Sequence, residues 1–373
     1  MKLAFALFRY FPYGGLERDM LALARLMQER GHEVTIYTRS WEGPRPDIPV
    51  VLLPVHSMSN HGSNAAFAQR LQAELPSDID AVVGFNKMPG LDFYYAADVC
   101  FAEKARKERG WLYRLTPRAR SSLAMEAAVF SPSSATQILM ISRPESQVYR
   151  KHYHTPDARI HFVPPGISRA RGVPDDYEHI RPGLRARYGL AEDDILIMMV
   201  GSDFKRKGFD RALRGVAALP ADLRSRIQIR VAGQDKPRFL EEVAQEVGLA
   251  DRLEVLGGRD DVSELLWSAD VLLHPARSEM AGLALLEAMI AGVPVIATEV
   301  CGYAHYITDY RMGEVIAAQP TDSQIADAIQ QVMSVGREEW VARARAMIAH
   351  ADIFSMNQRA AELIERGAPR RKR

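Results

Sequence analysis

Short apolar runs, each long enough for one strand, recur along this chain with helical patterns between them. That alternation is the mark of parallel sheets built from right-handed crossovers. In the first half the runs fall at 3–8, 34–38, 50–55, 81–85, 93–97, 138–141 and 160–163. A second series follows at 195–200, 227–232, 253–256, 271–274 and 295–298. Between the series stand the turn cluster Pro164-Pro165-Gly166-Ile167 and a polar stretch to Gly183, which reads as a linker. At 373 residues the chain exceeds what one core usually supports. The expected fold class is α/β, with two Rossmann-like parallel-sheet domains facing across a cleft. The expected boundaries are 1–168 and 169–354, with a helix in 355–373 crossing back to complete the first domain. Ligands of such sheets bind outside the carboxyl ends of the strands.

Charge and cysteine content narrow the function. A net charge of +1 argues against a general nucleic-acid-binding surface. Cys100 and Cys301 are far apart with no C-x-x-C spacing, so neither a disulfide framework nor a zinc site is indicated, and a reducing compartment fits. The first eight residues look briefly like a signal peptide, but Arg9 interrupts them, and they read as a buried first strand. No stretch approaches the ~20 apolar residues of a membrane span. The expected location is the cytoplasm, at most peripherally on a membrane.

Three loops at strand ends carry the chemistry. Glu279 and Glu287 stand eight positions apart, the first in the loop after the 271–274 run and the second inside the helix that follows. Such a loop presents backbone N–H groups and a helix dipole to an anion, and the carboxylates can accept hydrogen bonds from sugar hydroxyls. Two glutamates in a charged chain can also be coincidence. Gly14 and Gly15 join the first strand to the first helix, where they allow close backbone approach to a phosphate or sugar, or merely a tight turn. Lys205-Arg206-Lys207 sits at the matching strand end of the second half, placed to clamp a diphosphate or to remain a solvated charge run. The dinucleotide fingerprint G-x-G-x-x-G is missing from the first turn, which weakens a dehydrogenase reading.

Together these motifs resemble the GT-B glycosyltransferases of family 4. The likeness covers nearly the whole chain: G-G-x-E-R at 14–18, R-G-H-E-V-T at 30–35, Lys207-Gly208, the Glu-x7-Glu element, and G-V-P-V-I-A-T at 292–298. Within that family it is similar to the lipopolysaccharide core glucosyltransferases that extend the inner-core heptose, through segments 10–15, 40–43, 84–92, 96–100, 233–237 and 301–306. Two places depart from the family pattern. The usual G-G-x-x-E is here Cys301-Gly302-Tyr303-Ala304-His305, and the frequent active-site histidine is replaced by Asp98.

The resemblance implies a donor site with Glu287 on the ribose and Glu279 on the transferred sugar. The N–H groups of Ala281, Gly282 and Leu283 would lie nearby, Gly14 and Gly15 would face the donor, and Arg206 and Lys207 would neutralise the diphosphate leaving group. The family retains anomeric configuration without a clear protein nucleophile, and the departing phosphate can accept the acceptor proton. No cofactor is expected, the UDP-sugar being a substrate, and no metal is needed where the cations do this work. Asp19 and Asp98 are candidates to orient the acceptor hydroxyl, or structural caps.

Residues 103–120 are locally basic. Lys104, Arg106, Lys107, Arg109, Arg114, Arg118 and Arg120 stand against only Glu103 and Glu108, with Trp111, Leu112, Tyr113 and Leu115 interleaved. Thr116-Pro117 reads as a cap and first helical position, giving two short helices at an apolar, basic corner. Such a corner suits an anionic membrane face or an anionic acceptor. The expectation is a retaining transferase moving a hexose, glucose first, from a UDP-sugar to the inner-core heptose of lipopolysaccharide. Alternatives are a UDP-hexosamine or UDP-galactose donor, a GT-B sugar-nucleotide epimerase, or a non-catalytic nucleotide-sugar binding module.

Overall fold

The computed structural model describes residues 1–12, 14–108 and 110–369; Tyr13, Arg109 and 370–373 lie outside the described residues, as do the side chains of Glu108 and Trp111. The chain divides into two compact units, Met1–Gly166 with the segment from Ser355 onward, and Ile167–Phe354.

The first unit is built on a seven-stranded parallel sheet. Its strands are β1 (Lys2–Leu7), β2 (Glu33–Thr38), β3 (Val50–Leu52), β4 (Ala81–Gly84), β5 (Phe93–Ala96), β6 (Gln137–Met140) and β7 (Ile160–Phe162). The helices are α1 (Gly15–Glu29), α2 (Asn60–Glu74), α3 (Phe101–Glu108), α4 (Gly110–Tyr113), α5 (Pro117–Phe130) and α6 (Arg143–Tyr153). The spatial order is β3-β2-β1-β4-β5-β6-β7. Leu3 to Leu7 are almost wholly buried, as a central parallel strand covered on both faces must be. The last helix, Met356–Gly367, places Met356, Ala360, Ala361 and Ile364 in this unit's core, and Glu365 pairs with Arg30 and His32.

The second unit repeats the plan with six strands: β8 (Ile195–Val200), β9 (Ile227–Ala232), β10 (Leu253–Gly257), β11 (Val271–His274), β12 (Val295–Thr298) and β13 (Gly313–Ile316). Around them run α7 (Tyr177–Arg187), α8 (Phe209–Ala217), α9 (Ala221–Arg224), α10 (Arg238–Glu246), α11 (Val262–Ser268), α12 (Leu283–Ile290), α13 (Ala304–Asp309), α14 (Asp322–Met333) and α15 (Arg337–His350). The order β10-β9-β8-β11-β12-β13 again reverses direction beside its first strand. Each sheet therefore has a topological switch point, at β1/β4 and at β8/β11, where ligands of doubly wound sheets bind.

Three expectations need correction. The stretch to Gly183 is no linker: it belongs to the second unit, forms a 3-10 turn at Arg169–Arg171 and then α7, and buries Tyr177. The third strand stops at Leu52 rather than 55, where Pro54 has no N–H to offer a ladder. β13 escaped notice because Gly-Glu-Val-Ile has too little apolar signal, although Gly313 packs so closely that a Cβ there would lie 2.0 Å from the Val295 carbonyl oxygen.

Candidate functional site

At the β8/β11 switch point the two loops are pinned together before any catalytic side chain is considered. Gly208 adopts φ +72°, and a Cβ on it would lie 2.0 Å from the Pro275 carbonyl oxygen, so only glycine fits. The Arg277 N–H donates to the Arg206 carbonyl at 2.8 Å, and the Arg277 guanidinium forks onto both Asp210 oxygens at 2.7 Å each. The Thr298 hydroxyl donates to the Ala276 carbonyl at 2.7 Å.

This framework brings three sequence-predicted residues together. Lys207 Nζ donates to Glu279 Oε2, and Arg206 Nη1 lies 3.2 Å from the same oxygen while also donating to the Ser278 carbonyl at 2.8 Å. Arg206 Nε reaches Asp203 Oδ2 at 3.0 Å. His274, fully buried at the end of β11, places Nε2 3.5 Å from Glu279 Oε2, too far for a good hydrogen bond, and neither ring nitrogen has a hydrogen-bond partner. Burial holds that ring below its ordinary pKa and therefore neutral. Burial alone would raise the Glu279 carboxyl, but the charges of Lys207 and Arg206 outweigh it and hold the group well below the usual carboxylate range.

The segment that departs from the family pattern supports this loop. Glu279 pairs with Cys301 as an isolated parallel bridge, the Gly302 N–H donates to the Glu279 carbonyl at 3.2 Å, and the Tyr303 N–H donates to the Ala281 carbonyl at 2.9 Å. Gly282 caps α12 at φ +96°, so Ala281, Gly282 and Leu283 form the entry to that helix. Glu287 is a different kind of glutamate. It is buried within α12, and its Oε1 stands 2.6 Å from a guanidinium nitrogen of Arg171. Arg171, Asp210 and Arg277 were not foreseen, because ion pairs between distant segments leave no spacing signal.

The first unit carries the other candidates. Gly14 caps α1 and Gly15 begins it; the space beside Gly14 is filled by the Glu17 carboxylate, 1.7 Å from where a Cβ would sit, whereas Gly15 faces open space. Burial raises the Glu17 carboxyl, Arg9 opposes this, and nearby Asp98 and Asp19 add to it. Asp19 accepts from the Tyr95 hydroxyl at 2.9 Å, and burial lifts its pKa. Asp98 is exposed and opens onto a pocket of about 360 Å³ at the β1/β4 switch point. That pocket is walled by Phe8, Asn64, Asn86, Lys104 and Ser122 among others. Of the two aspartates, Asp98 has the accessible carboxylate.

The basic corner comprises three helices rather than the expected two, because α4 intervenes and α5 runs fourteen residues. Thr116 caps α5, accepting from the Ala119 N–H at 3.2 Å, with Pro117 at its start. Lys104, Arg106, Lys107, Arg114, Arg118 and Arg120 are exposed, as are Leu112 and Leu115, at 62% and 53%. Glu103 draws Arg106, Lys107 and His152 to within 2.9, 3.1 and 2.6 Å, so part of the charge is balanced locally. The expected contributions of Arg109 and the Trp111 side chain lie outside the described residues. Among the described residues no helix is long and apolar enough to cross a membrane, and no group of three or more His, Cys, Asp or Glu side chains is arranged to hold a metal ion.

Comparison with known proteins matches these units. Residues 181–347 match the glycosyl transferases group 1 family, and residues 13–171 match glycosyltransferase family 4. The chain is 43% identical over 371 residues to the lipopolysaccharide glucosyltransferase WaaG of Escherichia coli strain K12, covering 98% of this chain and 99% of that protein. It is 27% identical to a D-inositol 3-phosphate glycosyltransferase of Geodermatophilus obscurus, over 94% of this chain and 84% of that one. The crystal structure of WaaG, a glycosyltransferase involved in lipopolysaccharide biosynthesis, aligns at TM-score 0.89 with 43% identity, covering 97% of this chain and 99% of that one. The crystal structure of Anabaena HepE in complex with UDP-glucose shares the fold at TM-score 0.73 and 17% identity, over 98% of this chain and 100% of the other.

Proposed function

Because the chain belongs to the glycosyltransferase family of group 1 and family 4 enzymes, with the GT-B fold, we propose that it transfers glucose from UDP-glucose to the inner-core heptose of lipopolysaccharide, with retention of anomeric configuration. The observation that carries this reading is the meeting of Lys207, Arg206 and Glu279 at the β8/β11 switch point. A sugar diphosphate needs opposite charges side by side: cations for its phosphates and a hydrogen-bond acceptor for its hexose hydroxyls.

Charge develops on the diphosphate as the glycosidic bond breaks. Lys207, Arg206 and the N–H groups at the start of α12 are fixed in advance and stabilise that charge without rearrangement. Glu279, held ionised by its neighbours, accepts hydrogen bonds from the transferred sugar. Glu287 takes the ribose hydroxyls, oriented by its pairing with Arg171. The acceptor hydroxyl attacks on the face from which the phosphate leaves, and the departing phosphate oxygen takes its proton. The cations serve in place of a metal ion.

The first unit receives the acceptor. The Asp98 carboxylate, open to the pocket, orients the attacking hydroxyl, whereas Asp19 is committed to Tyr95. Arg106 and Lys107 of α3 and Arg118 and Arg120 of α5, with Leu112 and Leu115 between them, rest on the anionic cytoplasmic face of the membrane that carries the acceptor. Transfer assays on Glu279→Ala and Lys207→Ala test the reading: both lose transfer while their unfolding transitions stay cooperative. Full transfer in either variant would sink it.

A further inference from the structure

The turn leading from β5 into α3 is held at successive backbone positions by side chains from other elements of the first unit. The Asp98 carbonyl accepts from the Tyr149 hydroxyl at 2.8 Å, and the Val99 carbonyl from Lys87 Nζ at 2.8 Å. The Cys100 N–H donates to Glu145 Oε1 at 2.5 Å. The next two N–H groups, of Phe101 and Ala102, donate to the Glu126 carboxylate at 2.7 and 3.0 Å. Five consecutive residues are thus fixed from outside the turn.

Glu126 is the centre of this arrangement. It is fully buried, and its oxygens also receive Lys87 Nζ at 2.5 Å and the Tyr153 hydroxyl at 2.8 Å. A buried ion pair is a poor route to stability, because well-packed apolar residues often serve as well; what it supplies is a defined geometry. Here the geometry concerns the pocket at the β1/β4 switch point. The anchored turn delivers Asp98 to that pocket, and α3, which starts on Glu126, delivers Lys104. Asn86, the neighbour of Lys87, accepts the Phe8 N–H at 2.8 Å, so the same loop also ties down the end of β1.

We propose that Lys87 and Glu126 are positioning residues for the acceptor sugar. Their ion pair fixes the β5–α3 turn so that Asp98 and Lys104 face a polyhydroxylated ring seated in the pocket, with Asn64 and Ser122 among the groups that meet its hydroxyls. The proposal rests on the first unit being the acceptor's site.

The test is steady-state transfer by the full chain, varying UDP-glucose and a heptose-terminated core acceptor separately. Glu126→Gln keeps the size and loses the charge; Ser122→Trp, one turn before Glu126 on α5, narrows the pocket that Lys87 also lines while leaving both members of the pair in the sequence. In Glu126→Gln the acceptor KM rises about tenfold or more while the UDP-glucose KM stays within about twofold. Ser122→Trp raises the acceptor KM as well. An acceptor KM unchanged in Ser122→Trp overturns the pocket reading and the proposal with it. A rise there, with no rise in Glu126→Gln, overturns the positioning role alone. Parallel changes in both KM values of Glu126→Gln would mark a merely structural role and also overturn it. Should Glu126→Gln not fold, Lys87→Met/Glu126→Leu removes both charges and keeps an apolar core; an unchanged acceptor KM in that folded variant overturns the proposal.

Discussion

Lys207 Nζ donates to Glu279 Oε2, the oxygen that also lies 3.2 Å from Arg206 Nη1, so one carboxylate oxygen balances both cations of the proposed diphosphate clamp. Replacing Glu279 with Gln leaves those cations uncompensated for an anionic diphosphate ligand. Glu279→Gln is expected to bind UDP about tenfold more tightly, while transfer falls by roughly 100-fold because the sugar loses its charged acceptor. Titration calorimetry with UDP, alongside initial rates, checks both halves. Weaker UDP binding would contradict the shared-oxygen account.

The same carboxylate gives a pH signature. Its folded-state pKa lies below the ordinary 4.5, so its contribution to stability is complete above that value and is lost as pH falls through the folded pKa. The melting-temperature gap between the native chain and Glu279→Gln should hold constant from about pH 5 to 8 and narrow below about pH 4.5. A gap that widens on acidification would reverse the sign.

Two glycines separate strain from propensity. Gly208→Ala meets both a positive φ and a carbonyl 2.0 Å away, and is expected to cost roughly 3 kcal/mol or more. Gly183 sits inside α7 with nothing within 4 Å of where an alanine methyl would stand, so Gly183→Ala should gain about 0.5 to 1 kcal/mol. Denaturant unfolding of the two variants reads both values.

The basic corner predicts lipid selectivity. Neutralising Arg114, Arg118 and Arg120 together to Gln should weaken binding to anionic vesicles by about 100-fold, at roughly 1 kcal/mol for each cation. Leu112→Asn/Leu115→Asn should weaken it too, since both side chains are exposed. Vesicle sedimentation measures the effect, and melting temperatures should hardly move. Equal binding to zwitterionic vesicles would contradict an electrostatic contact.

What the sequence disclosed was whatever is periodic or local. β8, β11 and β12 begin and end where their apolar runs do, because parallel strands buried at every position are near-continuously apolar, and β9 keeps the same bounds although Gln228 and Arg230 occupy its partly exposed positions. The Thr116-Pro117 cap was readable because its chemistry is confined to one turn. The Glu279 loop was legible through spacing and family likeness together. Hidden were contacts that join distant segments. Arg171 looked like part of a linker, yet it holds Glu287. Lys87 and Glu126 are 39 positions apart, and nothing in either neighbourhood announces a buried pair. Asp19 and Asp98 looked equivalent in sequence; only burial and the Tyr95 hydroxyl distinguish them.

The most direct test of the central claim is transfer from a panel of UDP-glucose, UDP-galactose, UDP-N-acetylglucosamine and UDP-N-acetylgalactosamine to a heptose-terminated core lipid, with and without EDTA. The account predicts transfer from UDP-glucose, undiminished by EDTA because Arg206 and Lys207 carry the phosphate charge. Transfer abolished by EDTA, transfer from another donor alone, or UDP binding without transfer from any of the four would contradict it.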